Sequence, residues 1–427
     1  MEQTAANASH QLDVDAEVER HFRFNAVANV LDGVFFWFGS GFLAPSTVLA
    51  LYVNNLTDST LLIGLLSTIS SAGWFLPQLF TANVVERLPR KKYMVVNIGL
   101  FTERLPVVLL VPASLLALRS PALALVAFFL LYTWYTVGAG AVAVGWQDMY
   151  AKIVPAARRA RLFGFSNTLG MGAGILAGAI VPRLLESTRF PIGFTITFAI
   201  AAVLMVASWV SLAIIREPRG STSHAAGTQR EYWRRLPGIL RGDTNFVRLL
   251  ISQIVANFGS MATGFLAIYT VERWQLSDAQ AGAFTVSLLL GQAVTNLPFG
   301  VLADRRGHKS VLEIGMLLGA AAAGVALLAP NPTWFHVVFV LTGASFTAFY
   351  QSGMMIAFEF GSPEVRPTYI GLNSTARGAA AAVAPIVGGW LIGSAGYPTL
   401  FALSLIVGLV GFVLMRWTVR DPRRVAG

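Results

Sequence analysis

The fold class predicted for this chain is an all-α integral membrane protein of twelve transmembrane helices, six on either side of a polar linker. Three observations carry it. Of 427 residues, 55% are hydrophobic before the 40 glycines are counted, already above the roughly 45–50% of soluble domains with glycine included. Only 12% are charged, about half the usual share, too few to coat soluble domains of this length. Finally, apolar runs of about 20 residues, enough to cross a hydrocarbon core of about 30 Å, recur about twelve times.

The runs fall at about 26–53, 60–84, 93–116, 121–146, 163–185 and 192–215, then about 246–271, 281–302, 311–329, 334–358, 370–394 and 398–416. They are continuous, whereas barrel strands alternate over about ten residues, so helices are expected. The organisation is read as a cytoplasmic tail over about 1–25, a six-helix bundle over 26–215, a linker over 216–245, a second bundle over 246–416 and a tail over 417–427. The first twenty residues are polar and acid-rich, including Glu17 and Glu19, which is unlike a cleavable signal peptide; insertion is expected to use internal segments. In the linker, Ser221, Thr222, Ser223 and Gly227 read as a flexible piece. Tyr232, Trp233, Arg234 and Arg235 read either as an interfacial helix on an anionic leaflet or as a solvated loop.

A net charge of +10 raises the question of nucleic acid, and the positions of the basic residues answer it. With the N-terminus inside, about 24 of the 31 lie in cytoplasmic segments, as the positive-inside rule requires. The basicity is topological, no nucleic-acid partner is expected, and the localisation is read as a cytoplasmic membrane with both termini inside. The absence of cysteine removes disulfides and thiolate chemistry. The histidines fall in tails, loops or span ends, so neither a metal site nor a midplane histidine relay is expected. No nucleophile motif or P-loop is found, so the chain is read as neither an enzyme nor ATP-driven, and no cofactor is expected.

A short basic loop recurs. Gly300-Val301-Leu302-Ala303-Asp304-Arg305-Arg306-Gly307-His308-Lys309 follows span eight, and Ala82-Asn83-Val84-Val85-Glu86-Arg87-Leu88-Pro89-Arg90-Lys91 follows span two. A second correspondence links 155–164 with 363–371, each leading into a glycine- and alanine-rich span. At these residues the chain resembles the major facilitator superfamily, whose signature G-x-L-A-D-R-x-G-R-K lies between spans two and three with an echo between eight and nine. The later copy departs at His308, the earlier at Ala82, Glu86 and Pro89. The resemblance implies two pseudo-symmetric six-helix bundles, with spans 1, 4, 7 and 10 around a substrate. It also implies that Glu86 meets the start of span 11 near Tyr369 and Ile370, and Asp304 the start of span 5 near Leu162 and Phe163. There an acid accepts from a helix N-terminus and holds an inner gate shut. The alternative is that Glu86, Arg87, Arg90, Lys91, Gly300, Asp304, Arg305, Gly307 and Lys309 only enforce topology.

In span four, Gly138-Ala139-Gly140-Ala141 resembles the glycine end of the family motif R-x-x-q-G-x-G-x-A, with Trp134 where the arginine stands. Gly170, Gly174 and Gly178 form a small-residue stripe in span five, where close packing is the plain reading.

Charges inside a bilayer each need a partner, water or a function. Asp32, about 10 Å into span one at 1.5 Å per residue, is the first candidate for a protonatable site, a structural ion pair being the alternative. Glu103 and Arg104 lie about 16 Å into span three. As helical neighbours about 100° apart they are expected to serve different partners. A network from Arg104 to Asp32 would replace the missing span-four arginine, and a structural brace is the alternative. Arg377, about 10 Å inside span eleven, is read as either snorkelling to the inner face or functional. Asp148 and Glu359 are read as solvated span ends.

Candidate substrate contacts are the aromatic Phe36, Trp134, Tyr135 and Tyr350 and the amides Asn29, Gln253, Asn257 and Gln351. Aromatic walls suit amphipathic ligands, though such stripes also face lipid, and amides suit polar solutes equally well. The reading is a monomeric secondary transporter using alternating access, exporting small amphipathic compounds, with protons as the candidate coupling ion. The alternatives are a symporter or facilitator for a polar metabolite such as a sugar, and a non-transporting sensor or lipid-handling protein.

Overall fold

The computed structural model describes residues 2–57, 60–219, 228–276 and 278–425. The regular secondary structure of the described residues is all helical, without strands. They form two compact units, residues 1–225 with 363–371, and residues 226–362 with 372–427.

The first unit contains α1 (Glu2–Gly41), α2 (Ala50–Asn54), α3 (Thr60–Glu86), α4 (Leu105–Leu115), α5 (Pro121–Ile153), α6 (Arg159–Ser187) and α7 (Ile192–Ala213). The predicted first span does not run as one helix. It breaks after Gly41 and resumes through a π-helical turn at Pro45–Leu49, because Pro45 brings no N–H to the ladder. The third span opens with two π-helical turns, Met94–Ile98 and Leu100–Arg104, a distortion that concentrates at functional positions. Helix α5 starts cleanly: Ser120 Oγ accepts from Leu123 N at 3.3 Å and Pro121 takes the first helical position.

Helix α3 lies along α5, and α1 lies between α6 and α7. Glycine makes the first pairing close. A Cβ on Gly140 would strike the Gly73 carbonyl of α3, and one on Gly138 would strike the Thr102 carbonyl in the π-helical turn before α4. At the end away from the basic loops, Tyr52 packs at 5.2–5.3 Å ring separation on Phe128, Phe194 and Phe198.

The second unit contains α8 (Gln229–Gly242), α9 (Thr244–Gly259), α10 (Leu266–Trp274), α11 (Asp278–Arg306), α12 (His308–Leu328), α13 (Trp334–Met355), α14 (Arg366–Thr418) and α15 (Pro422–Val425). The first residues of α14, through Gly371, belong to the first unit. Helix α14 holds both of the last two predicted spans, divided at Gly396, whose φ of 79° and ψ of 172° leave the helix just before Pro398. An aromatic core repeats that of the first unit: Tyr269 packs at 5.0–5.7 Å on Phe335, Tyr397 and Phe401. Tyr269 is thus a core residue of this unit.

Helix α8 forms the second part of the predicted linker. Its capping box pairs Thr228 with Glu231. Tyr232 and Leu236 are buried while Arg230, Arg234 and Arg241 are exposed, the two-faced pattern of a helix lying on an interface. The piece of the linker read from sequence as flexible, residues 221–227, lies outside the described residues. Among the described residues, nine helical stretches are long and apolar enough to cross a membrane, α14 counting once.

Candidate functional site

The intramembrane charges of the first unit converge. Ser208 Oγ of α7 donates to Asp32 Oδ1 at 2.6 Å and accepts from Arg104 Nη2 at 3.1 Å. Trp146 Nε1 of α5 donates to Asp32 Oδ2 at 3.4 Å. Arg104 also pairs with Glu103. Asp32, Glu103 and Arg104 are all 5% exposed or less. The expectation of different partners for Glu103 and Arg104 is corrected here: the long arginine side chain serves Glu103 and the Ser208–Asp32 bridge together. Four helical segments thus enclose one cation, two carboxylates and two neutral donors. Ser208 and Trp146 escaped the sequence reading because a lone serine or tryptophan in an apolar helix has no distinguishing pattern.

Of the other first-unit candidates, Tyr135 interacts electrostatically with Arg104. Asn29 is buried and donates to the Asn25 carbonyl at 2.8 Å. Phe36 and Tyr135 pack on the aromatic core, and Trp134 is exposed.

At the basic end of this unit Glu86, fully buried, accepts from Thr368 Oγ1 in the first turn of α14. The adjoining Gly371 leaves room for Ala82 and the Gln78 carbonyl. Asp148 is buried and lies between Lys91 Nζ at 3.7 Å and Arg366 Nη1 at 3.4 Å. The expectation of a solvated Asp148 is overturned, since helix packing buries it beside those two cations. Lys91, 4% exposed, also donates to the carbonyls of Val85 and Leu88 at the end of α3. Burial holds its ammonium below the ordinary lysine value, and Asp148 counteracts part of that shift. Arg90 is half-buried and Arg87 exposed.

Glu217, buried at 6% exposure, was not singled out by sequence. Its carboxylate accepts from the backbone N–H of Lys91 at 3.0 Å and of Lys92 at 2.7 Å, and from Lys152 Nζ at 3.0 Å. In the second unit Asp421 takes the corresponding place, with its carboxylate against Gly307, which has a φ of 87°. Gly300 is buried and Arg305 exposed. Arg423 donates to the carbonyls of Ala303 and Asp304 at 3.0 Å and to Glu359 Oε1 at 2.6 Å. His308, 2% exposed, holds Ser352 Oγ at 3.1 Å and lies 3.9 Å from Glu359. Glu359 is thus a paired residue instead of a solvated end. Lys309 pairs with Glu313 at 3.3 Å.

Deeper in the second unit, Gln253 Nε2 donates to Asn373 Oδ1 at 2.9 Å, and Asn373 Nδ2 to the Gly353 carbonyl at 2.8 Å. Arg377 Nη2 donates to the Phe349 carbonyl at 2.7 Å; its reach is spent on α13 and not on the inner face. Tyr350 stacks on Phe346 at 6.0 Å. Gln351 is fully buried, and Asn257 donates to the Gln253 carbonyl at 2.8 Å.

Fold and site together define an all-α membrane protein of two units with repeated loops and cores. The Major Facilitator Superfamily model matches residues 249–427. The chain is 28% identical over 241 residues to an uncharacterized MFS-type transporter of Methanocaldococcus jannaschii, covering 53% of this chain and 58% of that one. It is 23% identical over 185 residues to the niacin transporter NiaP of Acinetobacter baylyi, covering 43% and 42%. The matches thus span about half the length of these relatives. Among solved structures, a bacterial homologue of the iron transporter ferroportin superposes with a TM-score of 0.74 at 16% identity, covering 93% of this chain and all of that one. The E. coli fucose:proton symporter superposes at 0.72 with 14% identity, covering 92% and 98%. The family model thus covers residues 249–427, less than half of the chain, and the solved structures share its fold.

Proposed function

We propose that the protein is a secondary active transporter that works by alternating access, exporting small amphipathic compounds in exchange for protons across a cytoplasmic membrane. The observation that carries this reading is the buried chain Arg104–Ser208–Asp32–Trp146. A carboxylate in the hydrocarbon region is costly and so points to a function, and one held by a hydroxyl, an indole and a bridged arginine keeps hydrogen bonds in both protonation states. Asp32 is the proton carrier in this reading. Arg104 stands in for the arginine that Trp134 replaces in span four.

Glu86 and Thr368 form part of the inner gate, with Asp304 expected to play the matching part at the start of span 5. Binding of substrate and proton then alternates with opening of this contact. The test is transport of dyes and sugars in proteoliposomes with and without a pH gradient. Gradient-driven dye movement in the wild type, lost in Asp32→Asn, supports the reading; equal rates in both abolish it.

A second reading, a symporter or facilitator for a polar solute, is favoured by one observation. The Oε1 of Gln253 is buried with no partner among the described residues, beside Asn373 and Arg377, and an unsatisfied buried acceptor suits a hydroxyl-bearing solute. Movement of sugars and not dyes in the same assay selects it.

A further inference from the structure

The second unit has a basic pocket that the transport reading does not use. Its volume is about 570 Å³, and it lies between the start of α12 and the end of α14. Arg306, Lys309, Arg416 and Arg420 line it, together with Glu313 and Asp421, so four positive charges face two negative ones. Glu313 is occupied by Lys309 at 3.3 Å and Arg416 at 3.4 Å. The exposed guanidinium groups of Arg306 and Arg420 have no ion pair among the described residues. The Arg420 backbone is fixed, with its N–H donating to Asn245 Oδ1 at 2.7 Å and its carbonyl accepting from Asn245 Nδ2 at 2.9 Å.

The pocket is also the end of an apolar track. Ile406, Val410, Val413 and Trp417 on α14 are all exposed, Trp417 at 71%, and their spacing of four, three and four places them on one helix face. A tryptophan at the end of such a face marks the level of the lipid headgroups. A soluble anion would use the arginines and have no use for the track, whereas a lipid uses both.

We propose that this pocket binds the phosphodiester headgroup of an anionic phospholipid, with Arg306 and Arg420 on the phosphate oxygens and an acyl chain lying along Ile406, Val410 and Val413. Paired guanidinium groups suit phosphate geometry, and basic pockets between membrane helices on the inner side are built for such headgroups. The site depends on the membrane fold and not on the direction of transport.

The experiment measures binding of short-chain phosphatidylglycerol to the full-length protein in detergent, with short-chain phosphatidylcholine and inorganic phosphate as the other ligands. Saturable binding of phosphatidylglycerol alone is expected, weakened more than about tenfold in the Arg306→Gln/Arg420→Gln double variant, since each basic residue at an anionic surface is worth about 1 kcal/mol. Arg241→Gln, an exposed charge on α8, should leave binding unchanged. Equal loss in Arg241→Gln would mean diffuse attraction and overturn the site. Equal binding of phosphatidylcholine would overturn the anionic specificity, and competition by inorganic phosphate at similar concentration would identify a soluble anion instead. Folding of the double variant is checked by its unfolding temperature; if that falls, Arg306→Gln alone, on an exposed side chain, is required to show the weakening.

Discussion

Ser208 Oγ donates a hydrogen bond to Asp32 Oδ1 at 2.6 Å while accepting one from Arg104 at 3.1 Å. One hydroxyl therefore couples a buried acid on α1 to a buried base before α4. Ser208→Ala removes the bridge and leaves both charges short of a partner, at a cost of roughly 1–3 kcal/mol. Asp32→Ala, which removes the acceptor, should cost at least as much. Because the two substitutions delete one shared hydrogen bond, the double variant should lose less than the sum. Unfolding in detergent measures the cycle, and strictly additive losses would show that the bridge is not formed.

Asn25 holds the backbone of Arg216 with both ends of its amide, at 2.8 and 2.9 Å. Asn245 holds Arg420 in the same way in the second unit, at 2.9 and 2.7 Å. Each clamp ties the first helix of its half to the chain leaving the sixth. Asn25→Ala should cost about 2 kcal/mol, at about 1 kcal/mol per hydrogen bond. Asn25→Asp keeps the acceptor but sets a buried carboxylate oxygen against the Arg216 carbonyl, so it should cost at least as much. An alanine variant as stable as the wild type would remove the clamp from the account.

This pair also shows where sequence reading stopped. Arg216-Glu217-Pro218-Arg219 and Arg420-Asp421-Pro422-Arg423 are a repeat as clear as the basic loops, and it escaped notice because it lies at span ends, among residues read as topological charge. The helical membrane fold was legible because apolar runs of bilayer length have few other uses. Asp32, Glu103 and Arg104 stood out because charge is rare inside such runs. Ser208 and Trp146 did not, since small polar and aromatic residues serve many packing roles. The burial of Asp148 was hidden because its partners Lys91 and Arg366 lie 57 and 218 positions away.

Lys91 gives a pH signature. Burial lowers its value below the ordinary 10.5, so between the folded value and 10.5 the unfolded chain binds more protons than the folded one. Stability must therefore rise with pH across that window, and the cost of burying the ammonium is greatest below it. Lys91→Met removes the titrating group. The difference in unfolding free energy between wild type and Lys91→Met should shift in favour of the wild type as pH rises through the window. A flat difference would mean that the ion pair with Asp148 fully offsets burial.

The glycine stripes separate by what each glycine faces. A Cβ on Gly140 would strike the Gly73 carbonyl, which is backbone and cannot turn away, whereas one on Gly178 meets nothing within 4 Å. Gly140→Ala should cost several kcal/mol, more than the roughly 1–3 kcal/mol of ordinary overpacking. Gly178→Ala should be neutral or gain up to about 1 kcal/mol from helix propensity. Unfolding temperatures of the two variants decide it, and equal behaviour would contradict the close α3–α5 crossing.

The contact of Glu86 with Thr368 is the sharpest test of the gate. The chain contains no cysteine, so one introduced thiol reports without background. Ala82 is fully buried beside Gly371, with 3.2 Å between its Cβ and a Cβ built on that glycine. In an Ala82→Cys protein a water-soluble thiol reagent reacts only when this contact opens. Thr368→Val removes the hydroxyl that donates to Glu86 and leaves a buried carboxylate short of one donor, a penalty of roughly 1–3 kcal/mol on the closed state. If the contact holds a gate shut, labelling of the introduced thiol should rise by about fivefold to a hundredfold in Thr368→Val, from the same penalty. Glu86→Gln should raise it as well, while the unfolding temperature falls little. Unchanged labelling in both would reduce the loop to a topological signal and leave the gate to be sought elsewhere.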